Sequence, residues 1–305
     1  MLEMLLGNKA GANPGTWAQL SDLGGPSVRT GCCAAAIDDK VYTFGGTMNV
    51  PATVRYGDLR CYDTTLNSWS SKKTGPPVRY GAVGLAARGK FYIHGGRGDS
   101  AYLKDLWVYD PSLDTWASKT AAGINRAIGA GCAVDGMLYF AAGWTTTYSN
   151  DFRSYNIDTD TWTTLSSLPG EVRQAAGMAA VGTKLYLYGG VNITTPRLND
   201  FWCYDTLTGE WVQLPDGPEG RTNHSMVAIG GKLYVHGGTT AVAWGGQTWC
   251  YDPDTAEWAA MKALLPGHSI HYAAVCQDKM FIGTGQTSGG SAGVVHDCWQ
   301  YTPPL

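Results

Sequence analysis

The sequence predicts an all-β fold built from six similar units, and three observations lead to this prediction. A strand-like phrase ending in two glycines returns along the chain, as in KVYTFGG at 40–46 and KLYVHGG at 232–238. Tryptophans recur at intervals of 52, 47, 46, 49 and 47 residues: Trp17, Trp69, Trp116, Trp162, Trp211 and Trp258. The composition, with 41 glycines and only 15% charged residues, is that of a turn-rich globular protein. Turn signals about every 8–12 residues, without helical periodicity, favour strands.

Each unit consists of four short predicted strands. The first is a run of small residues, such as GCCAAAI at 31–37, and a two-residue turn follows it. The second alternates apolar residues and ends at the Gly-Gly doublet, where the chain must turn without a Cβ clash. The third carries DLWVYD at 105–110 or its equivalent, and the fourth begins at the tryptophan. The turns between first and second strands are Asp38-Asp39, Arg88-Gly89, Asp135-Gly136, Gly182-Thr183, Gly230-Gly231 and Gln277-Asp278, and most of them suit primed hairpin turns.

Sheets of this size cannot bury their own faces, so six of them are expected to stack around an axis. The small residues of the first strands suit the crowded axis, and Trp and Tyr suit the wider gaps between neighbouring sheets. The Gly-Gly doublet, the Tyr-Asp that follows it and the spaced tryptophan resemble the Kelch repeat over residues 17–305. The resemblance implies a six-bladed Kelch β-propeller with four-stranded blades, and it says nothing about activity because one fold carries many functions.

The two ends of the chain predict how the ring closes. The last unit has three strands and then ends, whereas TWAQL at 16–20 is a fourth strand without a unit. Pairing this strand into the last blade would remove an exposed edge. We therefore expect residues 1–15 to be a mobile tail. The predicted blades are 27–73, 77–120, 124–166, 171–215, 219–262 and 266–305 plus 16–20.

Charge and cysteine content argue against several classes of protein. A net charge of −3 gives no strong attraction to nucleic acid or to an anionic membrane. No run of about 18 apolar residues predicts a membrane span, and MLEMLLGNKAGANPG at 1–15 lacks the basic region and core length of a signal peptide. The eight cysteines form no Cys-x-x-Cys pair, and several lie in apolar strand patterns. We expect them to be reduced and buried, which favours a cytoplasmic location.

One repeat position is occupied by a basic residue in every unit. Thirteen residues before the aromatic residue of each second strand stand Arg29, Arg79, Arg126, Arg173, Arg221 and His268. The start of the first strand shares a face of the disc with the loops between second and third strands, which cover 47–57, 97–104, 144–150, 191–199, 239–246 and 286–296. Few acids are apparent nearby, with Glu171 and Glu219 as partial counter-charges. Because a guanidinium fork suits a planar anion, we expect an arginine ring that binds an anionic ligand.

The ring of basic residues and its loops resemble those of Kelch-type substrate adaptors of cullin ubiquitin ligases. These adaptors use arginines at the strand entry and residues after Gly-Gly to bind acidic peptide turns. Carried over by position, the resemblance implicates the five arginines of the ring, together with Arg97 and Trp144. Tyr80 and Tyr272 would add stacking area, and His268, His224 and His271 would modulate one sector. A structural role for each arginine, pairing with a carboxylate or capping carbonyls at a blade junction, is the alternative.

The sequence contains candidate residues for metal binding and for catalysis, but no motif that is typical of either. His224, His268 and His271 fall in one sector, but no carboxylate or thiol at a fitting spacing completes a ligand set and the nearby arginines oppose a cation, so we expect no metal and no cofactor. Resemblance to the plant specifier proteins, which are Kelch enzymes, would imply Glu, Asp and His at four-residue spacing for iron. No such run is present in this chain. Six-bladed sialic-acid mutarotases are similar in having an arginine-lined face for a sugar carboxylate, and Glu171 or Glu219 would then transfer the proton.

The sequence therefore favours an interaction module rather than an enzyme. We expect a monomeric propeller that binds a partner protein through an acidic segment, or a small anion, and that binds neither nucleic acid nor membrane. An enzyme acting on a carboxylated sugar and a pure scaffold with a structural arginine ring remain the two alternatives.

Overall fold

The structure, a computed structural model, describes residues 13–48, 53–241, 244–289 and 293–304. Six antiparallel four-stranded sheets form the blades of a propeller, as predicted. No α-helix occurs in these ranges, and hence none that is long and apolar enough to cross a membrane. The prediction of an all-β propeller is confirmed.

Blades are numbered in chain order by their first strands, which lie next to the axis: Cys33–Ile37, Val83–Ala87, Ala130–Val134, Gly177–Val181, Ser225–Ile229 and Tyr272–Cys276. The second strands are Lys40–Phe44, Lys90–His94, Met137–Ala141, Lys184–Tyr188, Lys232–His236 and Lys279–Gln286. The third strands are Leu59–Asp63, Leu106–Asp110, Phe152–Asn156, Phe201–Asp205, Thr248–Asp252 and Val294–Thr302. The outer strands are Ser68–Lys72, Thr115–Lys119, Thr161–Thr164, Glu210–Leu214, Glu257–Met261 and, in blade 6, Thr16–Gln19. A two-stranded hairpin, Thr47–Met48 with Val54–Arg55, lies in the loop of blade 1.

The N-terminal strand closes the ring. It pairs antiparallel with the last strand of the chain, Trp17 opposite Tyr301, and so supplies the fourth strand of blade 6 as predicted. The docked segment begins earlier than predicted, because the carbonyl of Pro14 accepts bonds from Lys262 N and Tyr301 Oη, both at 2.8 Å. Residues 1–12 of the predicted tail lie outside the described residues.

The repeated tryptophans join neighbouring blades. In five of the six, the indole N–H donates to a backbone carbonyl at the end of the preceding blade's outer strand or just beyond it, as in Trp116 Nε1 to Lys73 O at 3.0 Å and Trp162 Nε1 to Thr120 O at 2.7 Å. The exception is Trp258, whose indole N–H has no hydrogen-bond partner among the described residues. Trp17 makes the corresponding bond to Lys262 O across the closure. The rings of Trp116, Trp211 and Trp258 also pack on buried phenylalanines of the preceding blade, which fills the widening gap between sheets.

Small apolar residues of the first strands line the central channel, as predicted. Ala35, Gly84, Cys132, Ala179 and Val227 are among the lining residues of a cavity of about 250 Å³. The first residue of every turn between first and second strands has a positive φ, as the predicted primed hairpin turns require. All eight cysteines are buried and free, and burial raises the pKa of the Cys32 thiol to about 11.

Candidate functional site

The arginine of each repeat is part of the joint between neighbouring blades. Its Nη1 donates to the carbonyl of the first residue of the doublet in its own blade, as in Arg79 Nη1 to Gly95 O at 2.9 Å. The same bond is made by Arg29, Arg126, Arg173 and Arg221. The amide of the doublet's second residue donates to the backbone carbonyl at the arginine position of the next blade, as in Gly46 N to Arg79 O at 2.8 Å. This second bond occurs at all six joints, with His268 at the arginine position of blade 6.

The chain's own carboxylates already neutralise these guanidinium groups. Aspartates placed just before the third strands pair within the blade: Asp58 with Arg29, Asp105 with Arg79, Asp151 with Arg126 and Asp200 with Arg173. Burial alone would raise the pKa of Asp58 and Asp105, but the bonds from Arg29 and Arg79 outweigh it and hold both pKa values below normal. These four arginine side chains are at most 3% exposed.

The structure thus corrects the prediction that Arg29, Arg79, Arg126, Arg173 and Arg221 present free guanidinium groups to an anion. They are buried in the blade joints, where each satisfies a backbone carbonyl and a carboxylate. The sequence argument considered only glutamates as counter-charges. The missed signal was the aspartate that begins DLWVYD at 105–110 and recurs before three other third strands.

Blade 5 departs from this pattern. Gln247 occupies the place of the aspartate, since its carbonyl accepts from the doublet as that of Asp200 does in blade 4. The carboxylate is supplied instead by Glu219, two residues before Arg221, and the two side chains form an ion pair. The expected partial neutralisation by Glu219 is present, but it serves one arginine only.

In blade 6 the predicted ligand-binding residues His268 and Tyr272 are interior. His268 is 0% exposed, and its Nε2 lies 3.0 Å from Asp297 Oδ2. Tyr272 is 3% exposed, and its hydroxyl donates to Cys298 Sγ at 3.7 Å. The prediction that Tyr272 offers stacking area on the surface is wrong, because its strand alternation points the ring into the core.

A closed ring of six backbone hydrogen bonds surrounds the axis at the start of the first strands. Each N–H of this axial ring donates to the equivalent carbonyl of a neighbouring blade at 2.7–3.1 Å. Its members, all with positive φ, are Gly31, Gly81, Ile128, Ala175, Asn223 and Ile270. The axial ring links all six blades, and no sequence pattern predicted it because four of its members are not glycine.

Above the axial ring lies a cavity of about 270 Å³ at the mouth of the channel. Tyr80, His224 and His271, all predicted ligand-binding residues, are among its lining residues. His224 is 8% exposed, and neither of its ring nitrogens has a hydrogen-bond partner among the described residues. The Nε2 atom of His271 lies 2.9 Å from Ser225 Oγ. Burial, with Arg221 beside one ring and His268 beside the other, holds the pKa of His224 well below normal and lowers that of His271 to about 3, so both are neutral.

Six short antiparallel bridges form the rim of this cavity. Each joins the residue after the joint arginine, or after His268, to the residue after the doublet, as in Tyr80 with Arg97 and Ala127 with Trp144. Arg97 lies over the ring of Tyr102, 4.7 Å from its centroid, and forms no ion pair in the described part of the chain. Trp144 packs edge-on against Tyr148. Arg97 and Trp144 are thus partly exposed rim residues, as predicted.

The loop face, meaning the face that carries the loops between second and third strands and the linkers between blades, holds further groups that the sequence analysis missed. Arg197 is partly exposed in the loop of blade 4 and forms no ion pair within the described ranges. Five of the nine exposed large hydrophobic side chains of the described residues lie on this face: Leu23, Val54, Val172, Ile193 and Leu265. Predicted loop residues 49–52, 242–243 and 290–292 lie outside the described residues.

The structure places both candidate catalytic carboxylates in hydrogen-bonded or ion-paired surroundings. Glu171 is exposed and accepts a bond from Asn192 Nδ2 at 2.9 Å, and Glu219 is engaged with Arg221. Among the described residues no group of three or more His, Cys, Asp or Glu side chains has a geometry that could hold a metal ion.

Comparison with curated proteins finds relatives that share single stretches of repeat. An N-(sulfonatooxy)prop-2-enimidothioate sulfolyase of Thlaspi arvense is 40% identical over 86 residues, which is 25% of this chain and 24% of the relative. A Rab9 effector protein with kelch motifs from Xenopus laevis is 36% identical over 101 residues, 31% of this chain and 28% of the relative. The chain spans about a quarter of the length of these relatives.

A family model covers nearly all of the described propeller. The KLHDC2/KLHL20/DRC7 Kelch-repeats domain matches residues 26–176 and 166–304. Together with the six blades, their doublets and their tryptophan bonds, this match means that the chain belongs to the Kelch-repeat β-propeller family.

Proposed function

We propose that this propeller is a protein-interaction module whose loop face binds an acidic segment of a partner protein. The observation that carries the proposal is Arg97, a partly exposed cation at the cavity rim that has no carboxylate partner in the described part of the chain. Arg197 adds a second such cation on the same face. A guanidinium group without an internal carboxylate gains charge-assisted hydrogen bonds from an incoming one.

Apolar groups around these cations support a peptide rather than a bare ion as the ligand. Tyr80 and Trp144 stand at neighbouring positions of the rim, and aromatic anchors flanked by arginine are typical of interface centres. The exposed Ile193 and Leu265 lie farther out on the loop face. A Kelch relative named as a Rab9 effector is consistent with a protein partner.

Selection from a random 12-residue peptide library displayed on phage tests the proposal. We expect the selected peptides to be enriched in Asp and Glu, with affinity that falls as salt rises from 50 to 300 mM because ionic interactions at the surface are screened. The variant Arg97→Ala/Arg197→Ala should weaken their binding at least tenfold, equivalent to about 1.4 kcal/mol.

Arg88→Ala is the matched control, because Arg88 lies on the opposite face in an exposed ion pair with Asp158. Its affinity for the same peptides should equal that of the unmodified protein. Peptides without acidic enrichment, or binding that is indifferent to the double substitution, would refute the acidic-segment proposal and favour a scaffold without this site.

A further inference from the structure

Two strained isoleucines face each other across the mouth of the channel. Ile128 and Ile270 are three positions apart in the six-membered axial ring and therefore diametrically opposite. Their φ values are 53° and 56°, a region that costs a β-branched residue about 1–2 kcal/mol, whereas glycine occupies the equivalent positions 31 and 81 without that cost. Both side chains are only partly buried and line the 270 Å³ cavity, so the strain is not offset by full burial in the core.

The polar groups of the same cavity are uncharged. Asn223 belongs to the axial ring, and its side-chain amide makes no hydrogen bond within the described ranges; the same holds for the hydroxyl of Tyr80. The lining residues include no Asp, Glu, Lys or Arg. His224 and His271, which complete the wall, are neutral at physiological pH.

We propose that the mouth of the channel is a binding site for an uncharged group that has a small branched apolar body and a hydrogen-bonding end, such as a primary amide. Ile128 and Ile270 hold the apolar body between them, and the amide of Asn223 and the hydroxyl of Tyr80 bind the polar end. A volume of 270 Å³ is at the small end of ligand cavities, which suits a single side chain or a small molecule.

The site selects against charge. A carboxylate or ammonium group that enters this cavity loses its hydration and finds no counter-ion among the lining residues. The cationic rim and the neutral mouth therefore select for different chemistry. A free small molecule tests the mouth without any acidic peptide, so the two proposals stand or fall separately.

Two probes of nearly the same shape test the inference. Isobutyramide is neutral and isobutyrate is anionic at pH 7, and each is titrated into the full chain with labelled isoleucine δ1-methyl groups. We expect isobutyramide to shift the methyl signals of Ile128 and Ile270 in a saturable manner, and isobutyrate to bind at least tenfold more weakly. Equal affinity of the two probes, or no saturable shift of these two methyl groups, overturns the proposal.

Asn223→Gly removes the amide but tolerates the left-handed backbone, so it should fold while weakening isobutyramide at least fivefold. Asp135→Gly, at a left-handed turn between first and second strands on the opposite face, is the control and should bind the probe as before. Unchanged affinity in Asn223→Gly refutes the assigned role of the amide and with it the site.

Competition with an acidic peptide selected on the loop face identifies the source of the neutral group. Displacement of isobutyramide supports a side chain of the partner segment as occupant. Simultaneous binding supports a separate small molecule.

Discussion

The guanidinium group of Arg173 and the carboxylate of Asp200, 27 residues apart in the sequence, form a two-bond ion pair inside blade 4, with Nη–Oδ distances of 2.5 and 2.6 Å. The same guanidinium binds the carbonyl of Gly189, and its backbone carbonyl accepts from Gly143 of blade 3. One residue thus connects the start of a first strand, the doublet of its own blade and the doublet of the preceding blade.

Removal of this arginine should destabilise the protein. Arg173→Met leaves Asp200 without its cationic partner in a mostly buried position, and we expect a loss of about 3–5 kcal/mol in the free energy of unfolding. Urea denaturation measures it. Arg88→Met, which breaks an exposed pair, should leave the free energy of unfolding nearly unchanged. Comparable small losses in both variants would contradict the structural role assigned to the joint arginines.

In blade 5, Glu219 supplies the carboxylate that an aspartate at the position of Gln247 supplies in other blades, and this substitution of one position for the other can be tested. Glu219→Gln should destabilise the protein by about 2 kcal/mol, because the buried Arg221 loses its ion pair. With Gln247→Asp in the background, which restores the aspartate used in other blades, the same substitution should cost less than about 1 kcal/mol. A double-mutant cycle by chemical denaturation gives the coupling, and additive effects would show that position 247 does not reach Arg221.

The second glycine of the doublet, present in all six blades, should tolerate no side chain. A Cβ on Gly96, whose φ is +98°, would lie 2.9 Å from Tyr80 O and 3.2 Å from Ala82 Cβ. We expect Gly96→Ala to cost about 2–4 kcal/mol from strain and overlap. Gly89→Ala, with a positive φ but open space around it, should cost only about 1 kcal/mol. Thermal unfolding of both variants measures the contrast, and equal losses would rule out the close approach.

Buried neutral histidines should make the fold sensitive to acid. Burial, with Arg126 nearby, lowers the pKa of His94 to about 3, against about 6.5 in the unfolded chain. Because the unfolded state takes up the proton first, the stability contribution is complete above pH 6.5 and declines as the pH falls towards 3. His94→Phe, which copies Phe44 of blade 1, should reduce the slope of unfolding free energy between pH 6 and 4 by about 1.4 kcal/mol per pH unit. Denaturation series at several pH values measure the slope; a slope equal to that of the unmodified protein would contradict a neutral buried His94.

The architecture was largely predictable because each blade repeats a local pattern. Strand alternation, the turn at Asp135-Gly136 and the doublet at 95–96 act over a few residues, so their signals survive in the sequence. The candidate site was predictable only in part. Arg97, Trp144 and Tyr80 follow repeat positions and stand at the rim as expected, whereas the exposure of Arg79 could not be inferred without knowing where Asp105 lies in space.

The sequence by itself determined that this chain folds as a six-bladed propeller closed by its N-terminal strand. The signals were the repeat spacing, the small residues of the first strands, the doublets and the recurring tryptophans. Only the tertiary structure decided that the arginines pair with aspartates 25–29 residues away, that Glu219 replaces the missing aspartate of blade 5, and that the axial ring places Ile128 opposite Ile270. Hydrophobic periodicity and turn chemistry depend on residues close together in the chain, so they can be recognised from the sequence alone. Charge neutralisation depends on which distant groups the blades bring within about 3 Å, and that is a property of the assembled ring.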